Sequence, residues 1–416
     1  MRNNLQHKLQ HKLQRNIQHK IQASIQNEWI RSTLWMMLSH GLKIVLQAAY
    51  FIIVARALKP EQYGAFIAAT AFVEIAAPFA TLGAGDLLVK NVARDRQLFA
   101  IYWGNALFLM VVSGVGLMAG LFAVAPWLLP NTVSPWLLFF AAFNSLFSGR
   151  SLDLAGKAYQ AVYQLKRTAQ LNLLPHLLRV AAAIALTLLI PSPNAETWMM
   201  LSVGCISVAA CIALYGVQKE LGAPRLALDI VLPNLKEGSY FAVGLSAQTI
   251  YNDIDKTMLA KLASLDAAGM YAAAYRLIDV AFVPVRSLLA ASYTKFFQAG
   301  QTGIWGSLQV AKKLLPLMLG YGLVMGVVLS LGAPVVPLIL GNEYANSAIV
   351  LQWLSPLILF KSLHYIAADT LSGADLQSNR SLIQIIIAIF NVLLNLFLIP
   401  RYQWYGAVWS SLASDG

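Results

Sequence analysis

Cysteine is almost absent from the sequence, with two residues, Cys205 and Cys211, in 416. They lie six apart in one apolar run and point about 240° from each other on a helix. That spacing excludes a disulfide framework and a structural zinc site. Charge is also scarce, at 12% of residues, and acidic residues are the rarer kind, 18 against 30 Lys and Arg. The resulting net charge of +12 and pI near 9.6 would suit nucleic acid. The basic residues are not gathered on one soluble face, however, so no nucleic-acid partner is expected. No water-facing segment is long enough to form a soluble catalytic domain, and none holds a Ser, His and Asp set or a metal-spaced cluster. His364 with Lys361 and Asp369 is the one arrangement resembling catalytic machinery, and it falls inside an apolar run. Gly83 to Asp86 (GAGD) lacks the third glycine and the preceding strand of a dinucleotide loop. No enzyme activity, cofactor or metal is expected.

What the chain does have is apolar length. It is 58% hydrophobic with a mean hydropathy of +0.62, outside the soluble range. Runs near the roughly 20 residues needed to span a bilayer follow one another at 34–54, 64–82, 99–125, 133–149, 171–190, 197–217, 239–262, 270–293, 314–340, 345–368 and 381–400. A twelfth begins near Trp404 and is expected to be truncated by the chain end. Residues 1–28 repeat a four-residue unit (LQHK LQHK LQRN IQHK IQAS IQNE). Its apolar line winds around a straight helix without forming a seam. A tail lying on an anionic leaflet and a disordered extension both fit this composition. The spacing of His7 and His11 follows from the repeat and is not taken as a metal site. Gly116 and Gly120 form a GxxxG suited to close helix packing.

Charge in the breaks gives an orientation. Twenty Lys and Arg fall on the side of the N-terminus and four, Arg56, Lys59, Lys261 and Arg401, on the other. This predicts a multi-pass protein with its N-terminus in the cytoplasm. Six basic residues remain within spans: Lys43, Arg179, Lys256, Arg276, Arg286 and Lys361.

Some of these belong to polar stripes. Gln248, Asn252 and Asp255 lie at i, i+4 and i+7 with Lys256 at the margin, and Arg276, Asp279 and Arg286 fall within an arc of about 80°. A polar stripe on a spanning helix faces the bundle interior or a wet cavity, because a charge facing lipid costs at least about 2.5 kcal/mol. The stripes recur earlier in the chain. Aligning Gly64 with Gly269, an offset of 205, sets Lys43 on Gln248, Gln47 on Asn252, Tyr50 on Asp255 and Glu74 on Asp279. A second anchor, LIP at Leu189 to Pro191 and at Leu398 to Pro400, gives 209. The chain therefore reads as two copies of one unit, parallel to each other because each holds an even number of spans.

Two readings of the stripes stay open. Lys43, Gln47, Gln248, Asn252, Asp255, Lys256, Arg276, Arg286 and Lys361 are candidates for a cavity that receives an anionic head group. Alternatively, each cation neutralises a carboxylate, drawn from Asp253, Asp255, Asp279 and Asp369. Glu74 and Asp279, intramembrane and equivalent by repeat, are candidates for ion coupling. A structural pairing of Asp279 with Arg276 is the plainer account.

The segments VARALKPEQYGAF, NDIDKTMLAKLASLDAAGMYAAAYRL, VVPLILGNEYANSAIVLQWLSP and LIPRYQWYGAV resemble, in this order, bacterial polysaccharide exporters of the O-antigen flippase type. These belong to the multidrug/oligosaccharidyl-lipid/polysaccharide superfamily, with a MATE-like fold. The resemblance implies an all-α polytopic membrane protein of about twelve transmembrane helices in two parallel six-helix lobes. Its parts would be a tail over 1–30, a first lobe over 31–217, a linker over 218–237 and a second lobe over 238–416. It also implies transport of an undecaprenyl-diphosphate-linked oligosaccharide across the bacterial inner membrane, with proton or sodium coupling left open. Partners would be membrane lipids and other polysaccharide-assembly proteins. The alternatives are a MATE-like cation or drug antiporter and a membrane glycan polymerase or ligase.

Overall fold

The computed structural model describes residues 41–415. The tail over 1–30, including His7 and His11, and the start of the first apolar run lie outside the described residues.

Twelve helical spans account for the described chain. The first two, α1 (residues 41–58) and α2 (residues 60–76, continued through Ala77–Ala80 and Ala84–Val92), are joined without a loop. Lys59 at φ 62° reverses the chain there, with Pro60 after it. A ring contact at 6.0 Å between Phe51 and Tyr63 requires that reversal, since twelve residues of straight helix span about 18 Å. Then follow α3 (Phe99–Leu128), α4 (Pro135–Phe143, a π turn at Asn144–Ser148, and Gly149–Ala161), α5 (Leu165–Leu189) and α6 (Ala195–Leu221). The second set is α7 (Leu228–Leu262), α8 (Leu265–Ala281 and Val283–Gly300), α9 (Ile304–Gly332 and Val336–Leu340), α10 (Ala345–Leu354 and Leu357–Gly373), α11 (Gln377–Tyr402) and α12 (Trp404–Asp415).

Each apolar run of the sequence corresponds to one of these spans. The helices extend past the runs chiefly on the side where the chain enters α1, here the N-side. There α8 continues to Gly300 and α9 starts at Ile304. An apolar window marks only the hydrocarbon, whereas the helix continues wherever its backbone bonds can. Among the described residues six stretches are long and apolar enough to cross a bilayer unaided, and the α10 pair, bent by 49°, makes a seventh. The polar-striped α7 and α8 are less apolar and are packed against other helices.

Helix starts are locally encoded. Asn194 and Thr197 form a reciprocal capping box for α6, Ser264 caps α8 through Ala267 N, and Ser134 with Pro135 opens α4. Three of the intramembrane prolines start a new helical segment. Pro78 opens the short turn in α2, Pro284 restarts α8, and Pro356 sits at the bend of α10. In α2 and α8 the carbonyl three residues before the proline accepts a hydroxyl from another helix. Ser246 donates to Ile75 O and Tyr321 to Ala281 O, each at 2.7 Å. These bonds satisfy carbonyls at the breaks, where the regular helix ladder is interrupted.

The two sets of six meet on a local two-fold arrangement. A Cβ added to Gly64 would overlap the carbonyl oxygen of Leu265, and one added to Gly269 would overlap that of Pro60. Pro60 and Leu265, like Gly64 and Gly269, are 205 residues apart, so the sequence offset is also the offset of a reciprocal contact. This junction lies on the far side, opposite the N-side. Further bonds join the halves there: Tyr344 Oη to Ala55 O at 2.9 Å, Lys261 Nζ to Leu129 O at 2.7 Å and Arg56 to Leu338 O at 2.9 Å. An exposed ion pair, Lys59 with Glu343 at 2.8 Å, adds little, because solvent screens it. On the N-side the connection after α6 is held to α3. Asn105 bonds both Ala227 N and Ala227 O, and Arg225 N donates to Ala100 O.

Candidate functional site

Between the halves, α2, α7 and α8 enclose a cavity of roughly 160 Å³. Its wall carries Glu74 and Thr70 from α2, Asp253 and Lys256 from α7, and Arg276 and Asp279 from α8. Glu74 and Asp279, equivalent by repeat, thus face one space. Each sits just before the proline break of its helix.

The partners of the two carboxylates differ. Glu74 accepts a hydrogen bond from Ser145 Oγ at 2.6 Å, supplied by the π turn of α4. Asp279 pairs with Arg286 at 3.1 Å across the break in α8, and the Arg286 guanidinium lies 5.4 Å from the Phe282 ring centroid. The plainer expectation, Asp279 with Arg276, is not what forms. Among the described residues Arg276 makes no hydrogen bond or ion pair. Lys256 is paired with Asp253 one turn back and lies 4.3 Å from the Tyr275 ring centroid.

Arg276 belongs instead to a group of cations on the first half. Lys43 on α1 lies within electrostatic reach of Arg276 and of Arg179 on α5, and all three cations lie within reach of His176. His176 is buried, and its Nδ1 has no partner. The Arg179 guanidinium lies 6.0 Å from the ring centroid of Tyr50, which stacks on Trp198. No carboxylate within ion-pair distance neutralises Lys43, Arg179 or Arg276 among the described residues. Gln47, half-buried, follows Lys43 by one turn of α1.

The stripe Gln248, Asn252 and Asp255 takes a different direction, into the interior of the second half. Gln248 reaches Tyr365 Oη at 3.4 Å. Asn252 accepts from Lys361 Nζ at 3.0 Å, and Lys361 also donates to Tyr275 Oη at 2.6 Å. Asp255 accepts from Tyr271 Oη at 2.5 Å and from Ser411 Oγ at 3.1 Å, and is 1% exposed. The cavity face of α7 carries Asp253 and Lys256 instead. A polar stripe needs polar partners, and α8, α10 and α12 supply them. Lys361, 2% exposed, therefore has neutral partners, while Asp369 lies 3.6 Å from Arg380. His364 pairs through Nδ1 with Asp415 at 3.0 Å rather than with Lys361 or Asp369.

Among the described residues, ion pairs thus form at Lys256 and Arg286 and not at Lys43, Arg276 or Lys361. Arg179, of the cationic group, and His176 beside it were not among the sequence candidates. Arg179 had a usable signal as a guanidinium within an apolar run. His176 had only its position one turn before Arg179.

A sequence model of the family described as "Polysaccharide biosynthesis protein" matches residues 29–297. No curated protein matches the chain. Among solved structures, an inward-facing multidrug resistance MATE family transporter of the MOP superfamily aligns with a TM-score of 0.74 at 12% identity, over 90% of this chain and 92% of that one. A MOP superfamily transporter from Pyrococcus furiosus Vc1, whose binding pocket is described as having reverse polarity, aligns at 0.63 and 13% identity, over 93% and 92%. An outward-facing MATE family transporter aligns at 0.61 and 12% identity, over 92% of each chain. These likenesses identify the fold, an all-α polytopic membrane bundle of the MATE type. With more than half of its length matched by the family's sequence model, the chain belongs to the polysaccharide biosynthesis protein family.

Proposed function

We propose that the chain is an exporter that moves an anionic, lipid-linked oligosaccharide of the undecaprenyl-diphosphate class from the cytoplasmic to the periplasmic leaflet of a bacterial inner membrane. The observation that carries this reading is the group Lys43, Arg179 and Arg276, cations from both halves that, among the described residues, form no ion pair, with Arg276 on the wall of a cavity at the seam. A diphosphate offers oxygens that guanidinium groups bind in pairs. Family membership supports a role in polysaccharide assembly, and the excess of Lys and Arg on the N-side supports a cytoplasmic N-terminus.

Transport proceeds by alternating access. With the halves joined on the far side, the head group enters from the N-side. Rocking about the seam then parts the far-side contacts and releases it. The diphosphate and sugars stay in the polar space between the halves and never cross hydrocarbon as a bare charge. Glu74 and Asp279 are the residues through which an ion gradient would act.

The test is surface glycan in a flippase-deficient strain at matched membrane protein levels. Wild type restores glycan, whereas Arg276→Gln and Arg179→Gln leave the lipid-linked intermediate in the cytoplasmic leaflet. A chain that restores no glycan from any donor locus but lowers cellular accumulation of cationic dyes would be a cation antiporter.

A further inference from the structure

A second, larger cavity of roughly 370 Å³ lies on the flank of the bundle between α2, α7 and α11. Phe79, Ala247, Ile250 and Ala388 form its inner walls, and Ile389 and Leu393 form a rim exposed toward lipid. Among the described residues of the lining Ser246 alone has a polar side chain, and its hydroxyl is already committed to Ile75 O. Water would find no free partner there.

The position of this groove gives it meaning. It shares both α2 and α7 with the charged cavity. On α7 the groove residues end at Ile250 and the cavity residues begin at Asp253. On α2 Glu74 lines the cavity and Phe79 the groove. From Ala247 to Asp253 is six residues, about 9 Å along the helix. A polar, charged space and a dry, laterally open one are thus stacked along a single α2–α7 seam. The two compartments match the two parts of one amphipathic molecule.

We infer that this groove receives the isoprenoid chain of the lipid whose diphosphate occupies the charged cavity, which rests on the flippase reading above. The chain is then held on the protein at its head-proximal end, and the α2–α7 seam sets the direction in which it leaves the cavity.

Binding to the purified chain in lipid nanodiscs tests this, with inorganic diphosphate, farnesyl diphosphate and undecaprenyl diphosphate as probes. Ala388→Trp fills the groove. It should bind inorganic diphosphate like wild type and both prenyl diphosphates at least about tenfold more weakly, because each buried methylene is worth roughly fourfold in affinity. Equal prenyl affinity in Ala388→Trp and wild type overturns the groove while the cavity reading stands. If wild type binds no diphosphate and Arg276→Gln changes nothing, the cavity reading fails first, and the inference with it. Should Ala388→Trp lose inorganic diphosphate as well, Ile389→Cys at the exposed rim decides. Its modification by a membrane-soluble maleimide should be slowed by prenyl diphosphates and not by inorganic diphosphate. Equal protection by added phosphatidylglycerol would assign the groove to bilayer lipid and overturn the inference.

Discussion

Gly64→Ala perturbs the far-side junction at its narrowest point. The added carbon would overlap the carbonyl oxygen of Leu265 and crowd the backbone nitrogen of Gly269, with no flexible side chain to yield. Backbone must move, so α2 and α8 separate until carbon and oxygen return to ordinary contact. Overpacking of this kind costs about 1–3 kcal/mol. The penalty falls on the form in which the halves are joined on the far side and is absent where they part. Converted to populations, it is about 5- to 150-fold toward the parted form. Gly269→Ala should do the same through Pro60, and the double variant should cost less than the sum, because either substitution alone already opens the shared contact. The assay places a cysteine at Thr70, on the cavity wall, and follows its labelling by a membrane-impermeant maleimide from the far side. Gly64→Ala should label faster by a factor within that range and unfold at a lower temperature. Unchanged labelling and unchanged unfolding in both single variants would refute the argument, because a junction that absorbs a methyl group freely is not holding the halves together.

Other consequences follow from the same structure. Asn105 is 4% exposed and bonds both backbone groups of Ala227, so Asn105→Leu should cost about 1–3 kcal/mol in thermal unfolding by freeing the connection after α6. Tyr275→Phe should be more destabilising than Lys361→Met. The first removes one of the two hydrogen bonds of a buried ammonium that keeps Asn252, at about 1.5–3 kcal/mol, while the second removes the ammonium together with its own desolvation cost. On the far-side rim Asp266 is exposed yet partly shielded by its turn. That shielding, with the Glu61 and Glu343 carboxylates nearby, holds it above the usual carboxylate range. Its folded form therefore binds the proton more tightly than the unfolded chain does, so stability should rise as pH falls through its raised pKa and decline above it. Asp266→Asn should flatten that slope in unfolding measured between about pH 4 and pH 7.

The legible part of this molecule was its longitudinal order. Apolar runs gave every span, because a bilayer demands a fixed length of apolar helix whatever packs beside it. The offset of 205, anchored on Gly64 and Gly269, was legible because those two glycines meet in space and neither tolerates a side chain. What could not be read was azimuth. The stripe from Gln248 to Asp255 is polar for the sake of Tyr271, Lys361 and Ser411 within its own half, while the cavity took the neighbouring face with Asp253 and Lys256. A helical wheel finds a polar face without saying which neighbour it serves. The choice of Arg286 over Arg276 as partner for Asp279 was hidden for a similar reason, since it depends on the break at Phe282, where regular helix geometry stops.

The unequal treatment of Glu74 and Asp279 leads to a last prediction. Both carboxylates face the cavity, but Asp279 is paired with Arg286 and Asp253 with Lys256, which leaves Glu74, among the described residues, as the cavity carboxylate without a basic partner. The Glu74 carboxylate opposes an incoming anion. In a cavity this small, wall charges lie within roughly 8 Å of a bound group, and at an effective dielectric of about 20 the repulsion is about 2 kcal/mol. Glu74→Gln should therefore tighten binding of inorganic diphosphate by up to about 30-fold. Asp279→Asn also removes a negative charge and in addition frees Arg286, so it should tighten binding at least as much. Titration of the three proteins with diphosphate checks both. If Glu74→Gln binds no more tightly than wild type, Glu74 is a structural partner of Ser145, and an ion gradient would have to act elsewhere.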